Sequence, residues 1–267
     1  MKPKTGTREW SNHSFNCCKG CANSCIYCYA RDSRFNTKRG LDWAKEELTF
    51  PKVRKWPGVV MFPTSHDFTP GNVDHCLTYL DHLLDAGNMV LVVTKAERVI
   101  VQRIVTVLRQ YPREQSEIRF TLTHHEPAVG RLWEPNAPTV DERFDALAIE
   151  PRYDIRTSVS CEPWLDTIEN LIDSVAFWVQ FVNQTVWIGH ANKLRQRTQW
   201  AFETNSCFSP DQRYDLRQSI KAIEARQTPE AARQVYNALK NNPKVRFKDS
   251  YQQVLGLAGP VNGEEPA

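Results

Sequence analysis

Five of the eight cysteines in this 267-residue chain fall within twelve residues, at Cys17, Cys18, Cys21, Cys25 and Cys28, and three of them form a C-x3-C-x2-C run at Cys21, Cys25 and Cys28. Thiolates are soft ligands that suit zinc and iron–sulfur clusters. Spacings of three and two let one short loop present three sulfurs to a corner of a 4Fe–4S cubane, which leaves one iron without a protein ligand. Such an iron can chelate a small molecule that carries an amine and a carboxylate together. Zinc is the competing chemistry. Structural zinc takes four ligands, and Cys17, Cys18 or His13 is close enough in sequence to supply the fourth. A redox disulfide accounts for the run less well, because three closely spaced cysteines leave one unpaired.

The composition narrows the setting. Hydrophobic residues make up 41% and charged residues 24% of the chain, which is globular and excludes disorder for most of it. No apolar run reaches membrane-spanning length, and the start, MKPKTGTREW, lacks the apolar stretch of a secretory signal. The expected compartment is therefore cytoplasmic and reducing, where a tight cysteine cluster means metal or redox chemistry rather than disulfides. The net charge of +3 says little, but residues 1–60 hold twelve Lys/Arg against five Asp/Glu. Such a basic region can attract a phosphate backbone, or simply keep the surface solvated.

Short β-rich runs alternate with helical patterns behind this loop. Residues 58–63 (GVVMFP), 89–94 (MVLVVT), 117–123 (EIRFTLT), 155–161 (IRTSVSC) and 185–189 (TVWIG) are predicted as strands, with one more near 10–15. Helices are predicted over 73–86 and 97–111, from a Thr139/Glu142 capping box to about 149, and over 166–182. Repeated strand–helix–strand units predict an α/β fold, a partial (β/α)6 barrel of parallel strands over residues 1–200; an open doubly wound sheet is the alternative. Either way, function belongs at the C-terminal ends of the strands. Residues 201–267 are expected to form a helical C-terminal extension packed on the barrel. Helices there start at Ser209-Pro210 and Thr228-Pro229, a short strand covers 244–247, a last helix starts at Asp249, and the end, GPVNGEEPA, frays.

The cysteine run, with an aromatic before its last cysteine and a barrel behind it, resembles the radical S-adenosylmethionine superfamily. Several segments are similar to its branch of spore photoproduct lyases and DNA repair photolyase-like relatives. Cys25-Ile26-Tyr27-Cys28-Tyr29-Ala30-Arg31 resembles C-x-Y-C-Y-A-R, and Leu91-Val92-Val93-Thr94-Lys95 resembles an apolar strand ending in Thr-Lys. Phe120-Thr121-Leu122-Thr123 is similar to the next strand, and Val159-Ser160-Cys161-Glu162-Pro163 to V-x-x-[DE]-P. The stretch from Leu132 to Arg143 is close to L-E-P-x-A-P-x-x-x-E-R with Trp133 inserted.

This resemblance implies a radical enzyme in which Cys21, Cys25 and Cys28 hold a 4Fe–4S cluster. S-adenosylmethionine would bind the open iron and be cleaved reductively to a 5′-deoxyadenosyl radical. It implies that Tyr27 packs near the adenine and cluster, that Lys95 contacts the cosubstrate's carboxylate or ribose, and that Thr64 and Ser65 bind its methionyl part. Thr123 would meet the ribose, and Ile188 and Gly189 would lie against adenine. It further implies an external electron donor of flavodoxin or ferredoxin type and a nucleic acid or nucleotide substrate, repaired or modified, with lyase or transferase chemistry.

The chain also departs from the branch, since no cysteine occupies 58–70, where spore photoproduct lyases are thought to keep a hydrogen donor. Cys161 at a strand end could donate instead, or be a buried inert thiol. Tyr29 could share a radical relay. His66 and Asp67 could touch substrate. His124 and His125 could move protons, or lie in a surface turn. Trp200, Phe202 and Phe208 among arginines could stack bases, or pack the tail on the barrel. A non-catalytic zinc-stabilised nucleic-acid-binding module stands as the alternative from another class.

Overall fold

The β-branched runs become strands buried on both faces, as a parallel sheet requires when its own crossover helices cover it. The protein is described by a computed structural model over residues 6–31, 41–149, 154–203 and 208–257. The strands are β1 (His13–Ser14), β2 (Val59–Phe62), β3 (Met89–Thr94), β4 (Ser116–Thr121), β5 (Thr157–Cys161), β6 (Val186–Ile188) and β7 (Val245–Phe247). All neighbours pair in parallel, and the order in the sheet is the order in the chain. The sheet is thus the expected parallel α/β architecture with seven strands in place of six. The seventh comes from beyond residue 200: the short strand expected in the tail pairs with β6, Val186 opposite Val245 and Ile188 opposite Phe247. The expected division at residue 200 is therefore not a division of the sheet.

Helices α1 (Val73–Asp85), α2 (Arg98–Leu108), α3 (Pro127–Trp133), α4 (Val140–Ile149), α5 (Ile168–Trp178) and α6 (Leu194–Thr198) follow the strands, and α7 (Pro210–Ala225), α8 (Pro229–Leu239) and α9 (Asp249–Leu255) complete the chain. Their ends obey local chemistry. Thr139 and Glu142 cap each other's backbone N–H groups at the start of α4, and Ser209 with Gln212 does the same for α7. Thr228 caps α8. Residues 124–126 form a non-helical connection before α3, as the surface-turn reading has it, but His124 is buried in it, and α5 is shorter than the 166–182 pattern. Residues 259–267, expected to fray, lie outside the described residues. No described helix is long and apolar enough to cross a membrane.

Strand alternation sorts the sheet into two faces. Val60, Phe62, Val92, Phe120, Val159, Cys161 and Ile188 join the main core under the helices. Met61, Leu91, Val93 and Trp187 point the other way and gather around Trp10. The Arg119 guanidinium stands 4.8 Å and the Lys248 Nζ 3.9 Å from the Trp10 ring centroid, so this indole is held between two cations.

The cysteine run lies in the connection between the two strands of a short antiparallel ribbon, in which Cys18 pairs with Leu48 and Lys19 with Glu47. Gly20 makes the bend at φ +81°, and a Cβ there would sit 2.4 Å from the Lys45 carbonyl oxygen and 2.8 Å from that of Trp43. Both are backbone atoms, and a side chain also strains this φ. Gly20→Ala is expected to cost about 1–3 kcal/mol of stability, read as a shifted denaturant midpoint. An unchanged midpoint would mean the loop is not clamped as described.

Candidate active site

Three separate elements hold the loop that carries the thiols. Cys21 N donates to Trp43 O at 2.9 Å, Ile26 N to Trp133 O at 2.8 Å, and Trp200 Nε1 to Ile26 O at 3.3 Å. Trp133 is fully buried and donates from Nε1 to Ser219 Oγ in α7 at 2.8 Å, so the C-terminal extension braces this loop. The Arg31 guanidinium stacks 3.7 Å above Trp200. Trp200, Phe202 and Phe208 are partly buried and all pack onto the cluster containing Cys25, Ile26 and Tyr27, as the packing role requires.

A cavity of about 430 Å³ opens at the C-terminal ends of the strands, a size suited to a small ligand. Cys21, Cys25 and Cys28 line its wall together with Tyr27, Tyr29, Thr64, Ser65 and Lys95. Burial, with Asp67, Cys25 and Cys28 nearby, pushes the Cys21 thiol upward, and burial pushes that of Cys25 up to about 12. The three sulfurs do not crowd together: among the described residues, the ligand atoms that lie within 4.8 Å of one another belong to Cys17, His66 and Cys76. One tetrahedral zinc would draw thiolates to about 3.8 Å apart. Cys18 and His13 are not aimed at a fourth position either. The Cys18 thiol donates to Lys19 O and Gly20 O, and His13 lies against Trp56. The donor set of three soft, spaced sulfurs beside an open cavity fits a cluster with a vacant corner.

One carboxylate ties the strand ends to this loop. Asp67 Oδ1 accepts from Thr94 Oγ1 at 2.6 Å and Phe68 N at 2.8 Å, and Oδ2 accepts from Lys95 N at 3.0 Å and Asn23 Nδ2 at 3.2 Å. Asn16 fixes the next turn, its Oδ1 accepting from Thr64 N and Ser65 N and its Nδ2 donating to Thr64 Oγ1. Tyr29 donates its hydroxyl to the Thr64 carbonyl, and burial first, then Cys28, pushes its pKa up to about 12. The phenol is therefore neutral at ordinary pH.

Beneath Tyr27 lies a buried ion network that sequence reasoning passed over. Tyr27 donates to Glu134 Oε1, and Arg143 Nη2 donates to Glu134 Oε2 at 2.6 Å. Arg143 also donates to the carbonyls of Pro138 and Thr121. Burial opposes the charge on Glu134, but Arg143, Lys95 and His124 outweigh it and lower its pKa to about 2. Burial likewise opposes the charge on Lys95, and Cys25, Glu134 and Asp67 override it, so the ammonium stays charged 5.8 Å from the Tyr27 ring centroid. The signal was present in the Leu132–Arg143 stretch, whose Glu and Arg are nine residues apart and meet only because α3 and α4 fold back.

Four expected site residues stand elsewhere. Cys161 does not line the cavity. It is fully buried in the main core, because alternation along β5 sends Ser160 inward and Cys161 to the helix side. Ile188 is turned outward in the same way on β6. Gly189 packs on the Glu162 side chain, where a Cβ would come within 2.8 Å of Glu162 Cγ, and is not part of the cavity wall. Thr123 is fully buried with its hydroxyl 3.0 Å from His124 Nδ1, and Thr121, two residues earlier, takes the lining position. The cavity also has Trp10, Ser160, Glu162 and Arg197 in its wall, which periodicity alone did not single out.

No protein-family model matches the sequence, and no curated protein matches it. Among solved structures, the chain superposes on a spore photoproduct lyase variant solved with a dinucleoside spore photoproduct, with a TM-score of 0.54 and 12% identity over 92% of this chain and 77% of that one. The chain thus shares the fold of that protein. Streptococcus suis SuiB bound to S-adenosylmethionine is matched in part, with a TM-score of 0.39 and 10% identity over 63% of this chain and 35% of that one.

Proposed function

We propose that the protein is a radical S-adenosylmethionine enzyme in which Cys21, Cys25 and Cys28 hold a 4Fe–4S cluster. The observation that carries this is the convergence of three spaced thiols, Lys95, Thr64 and Ser65 on one cavity at the C-terminal ends of parallel strands. When bound, the cluster and S-adenosylmethionine supply an electron and, on reductive cleavage, a 5′-deoxyadenosyl radical that removes a substrate hydrogen. The chain's own work is positioning. Lys95, kept charged, offers an ammonium to the cosubstrate carboxylate. The Thr64–Ser65 turn, held by Asn16, offers hydroxyls to its methionyl part, and Tyr27, fixed by Glu134, walls the adenine side. Tyr29 is placed beside Cys28 and the substrate space as a neutral phenol. Trp10 and Met61 line the cavity's apolar side and exclude water.

A nucleic acid or nucleotide substrate is supported by the basic N-terminal region and by the dinucleoside in the similar solved structure. The lyase or transferase step and a flavodoxin- or ferredoxin-type electron donor belong to the same proposal. The test is anaerobic reconstitution with iron and sulfide, followed by dithionite and S-adenosylmethionine. The expected product is 5′-deoxyadenosine; a protein that takes up no iron and makes none refutes the assignment. Cys161→Ala should keep this activity within about twofold while losing about 1–2 kcal/mol of stability from the emptied core volume. A loss of turnover in this variant at full iron loading would return Cys161 to the reaction.

A further inference from the structure

We propose that Cys17, His66 and Cys76 form a second metal site, of zinc type, separate from the cysteine trio and riveting the entry of its loop to α1. The three residues come from different parts of the chain: Cys17 follows β1, His66 follows β2, and Cys76 lies in the first turn of α1. All are buried, with Cys17 and Cys76 fully so. Their ligand atoms lie within 4.8 Å of one another. The two sulfurs are 3.8 Å apart, far beyond a disulfide bond and equal to the edge of a zinc tetrahedron with thiolates at about 2.3 Å.

The imidazole is already set for ligation. His66 Nδ1 faces the Asp67 carbonyl oxygen at 3.2 Å, the outer hydrogen bond that a ligating histidine uses to fix its tautomer. That leaves the Nε2 lone pair inward, where it accepts from the Cys17 N–H at 3.2 Å, and an ion would replace that contact. Asn72 Oδ1 accepts from the Cys76 thiol at 3.3 Å and from Thr69 N at 3.0 Å, and so steadies Cys76 at the start of α1. Binding a divalent ion forms two metal–sulfur bonds and releases the thiol protons, with no change of oxidation state. Two thiolates and one imidazole form a donor set that suits zinc among common divalent ions. Because the site is closed, metal would enter as the chain folds, and its binding would add to the stability of the fold.

The test uses the full chain with Cys21, Cys25 and Cys28 all replaced by alanine, which removes the competing thiols. Purified anaerobically with zinc and desalted, it should retain about one zinc per chain. With cobalt instead, it should show thiolate-to-cobalt charge-transfer absorption. Adding Cys76→Ser or His66→Ala should lower zinc content at least tenfold. A folded triple variant, judged by circular dichroism, that holds no zinc and shows no charge-transfer band overturns the site, and so does full retention after Cys76→Ser. If the triple variant does not fold, the iron-loaded parent protein decides. Supplied with zinc, it should carry one zinc beside its iron, and iron without zinc overturns the proposal. A Cys17–Cys76 disulfide in the peptide map of the anaerobic protein overturns it as well.

Discussion

Cys25→Ala is expected to reduce 5′-deoxyadenosine formation to the protein-free background, with iron content falling in parallel. Cys25 stands between Cys21 and Cys28 on the cavity wall, and its backbone neighbours Ile26 and Tyr27 are held by Trp133 and Glu134. The loop therefore keeps its shape without the sulfur, and the loss is one of ligation rather than of folding. With Cys17 and Cys18 already engaged elsewhere, no other thiol among the described residues is positioned to take its place. Circular dichroism should be unchanged and the thermal midpoint within a few degrees. Full iron retention with turnover would show that Cys25 is not a ligand, and with it the cluster assignment would fail.

Glu134→Gln is expected to destabilise the fold by about 3–5 kcal/mol, because it leaves Arg143 and Lys95 as buried or half-buried cations without their shared counter-charge. Urea unfolding of the parent and variant measures this. The pH dependence supplies an independent sign. Folding lowers the Glu134 pKa from 4.5 to about 2, so between those values the unfolded chain binds a proton that the folded chain refuses. The carboxylate's contribution is therefore complete above pH 4.5 and is lost as pH falls toward about 2. The parent should lose stability over that window, and the variant should lack this part of the slope. Equal slopes would mean that Glu134 is not charged against Arg143. The same variant should raise the KM for S-adenosylmethionine, since Tyr27 and Lys95 lose their common anchor.

Much of the fold was legible because each strand is a short apolar run flanked by turn chemistry, and each helix carries its own periodicity or cap. The Thr139/Glu142 box and the Ser209-Pro210 helix start are local, so they could be placed from spacing alone. The ribbon pairing Cys18–Lys19 with Glu47–Leu48 was not legible, since two-residue strands carry no period. Nor was the place of β7 in the sheet: a strand of three residues in a helical tail does not announce its neighbour.

For the site, the division follows the range of the interactions. Ligand type and spacing are properties of consecutive residues, so Cys21, Cys25, Cys28 and Tyr27 could be named as a loop that offers three sulfurs and an aromatic wall. Which face a strand-end residue presents depends on register and on where the strand stops. One step along β5 separates Ser160 in the cavity from Cys161 in the core, and that step is invisible until the sheet is paired. Buried charge is decided later still. Glu134, Arg143 and Lys95 stay ionised away from water only because folding sets them against one another, and the thiols of Cys17 and Cys76, 59 residues apart, meet only through the packing of α1 behind the sheet.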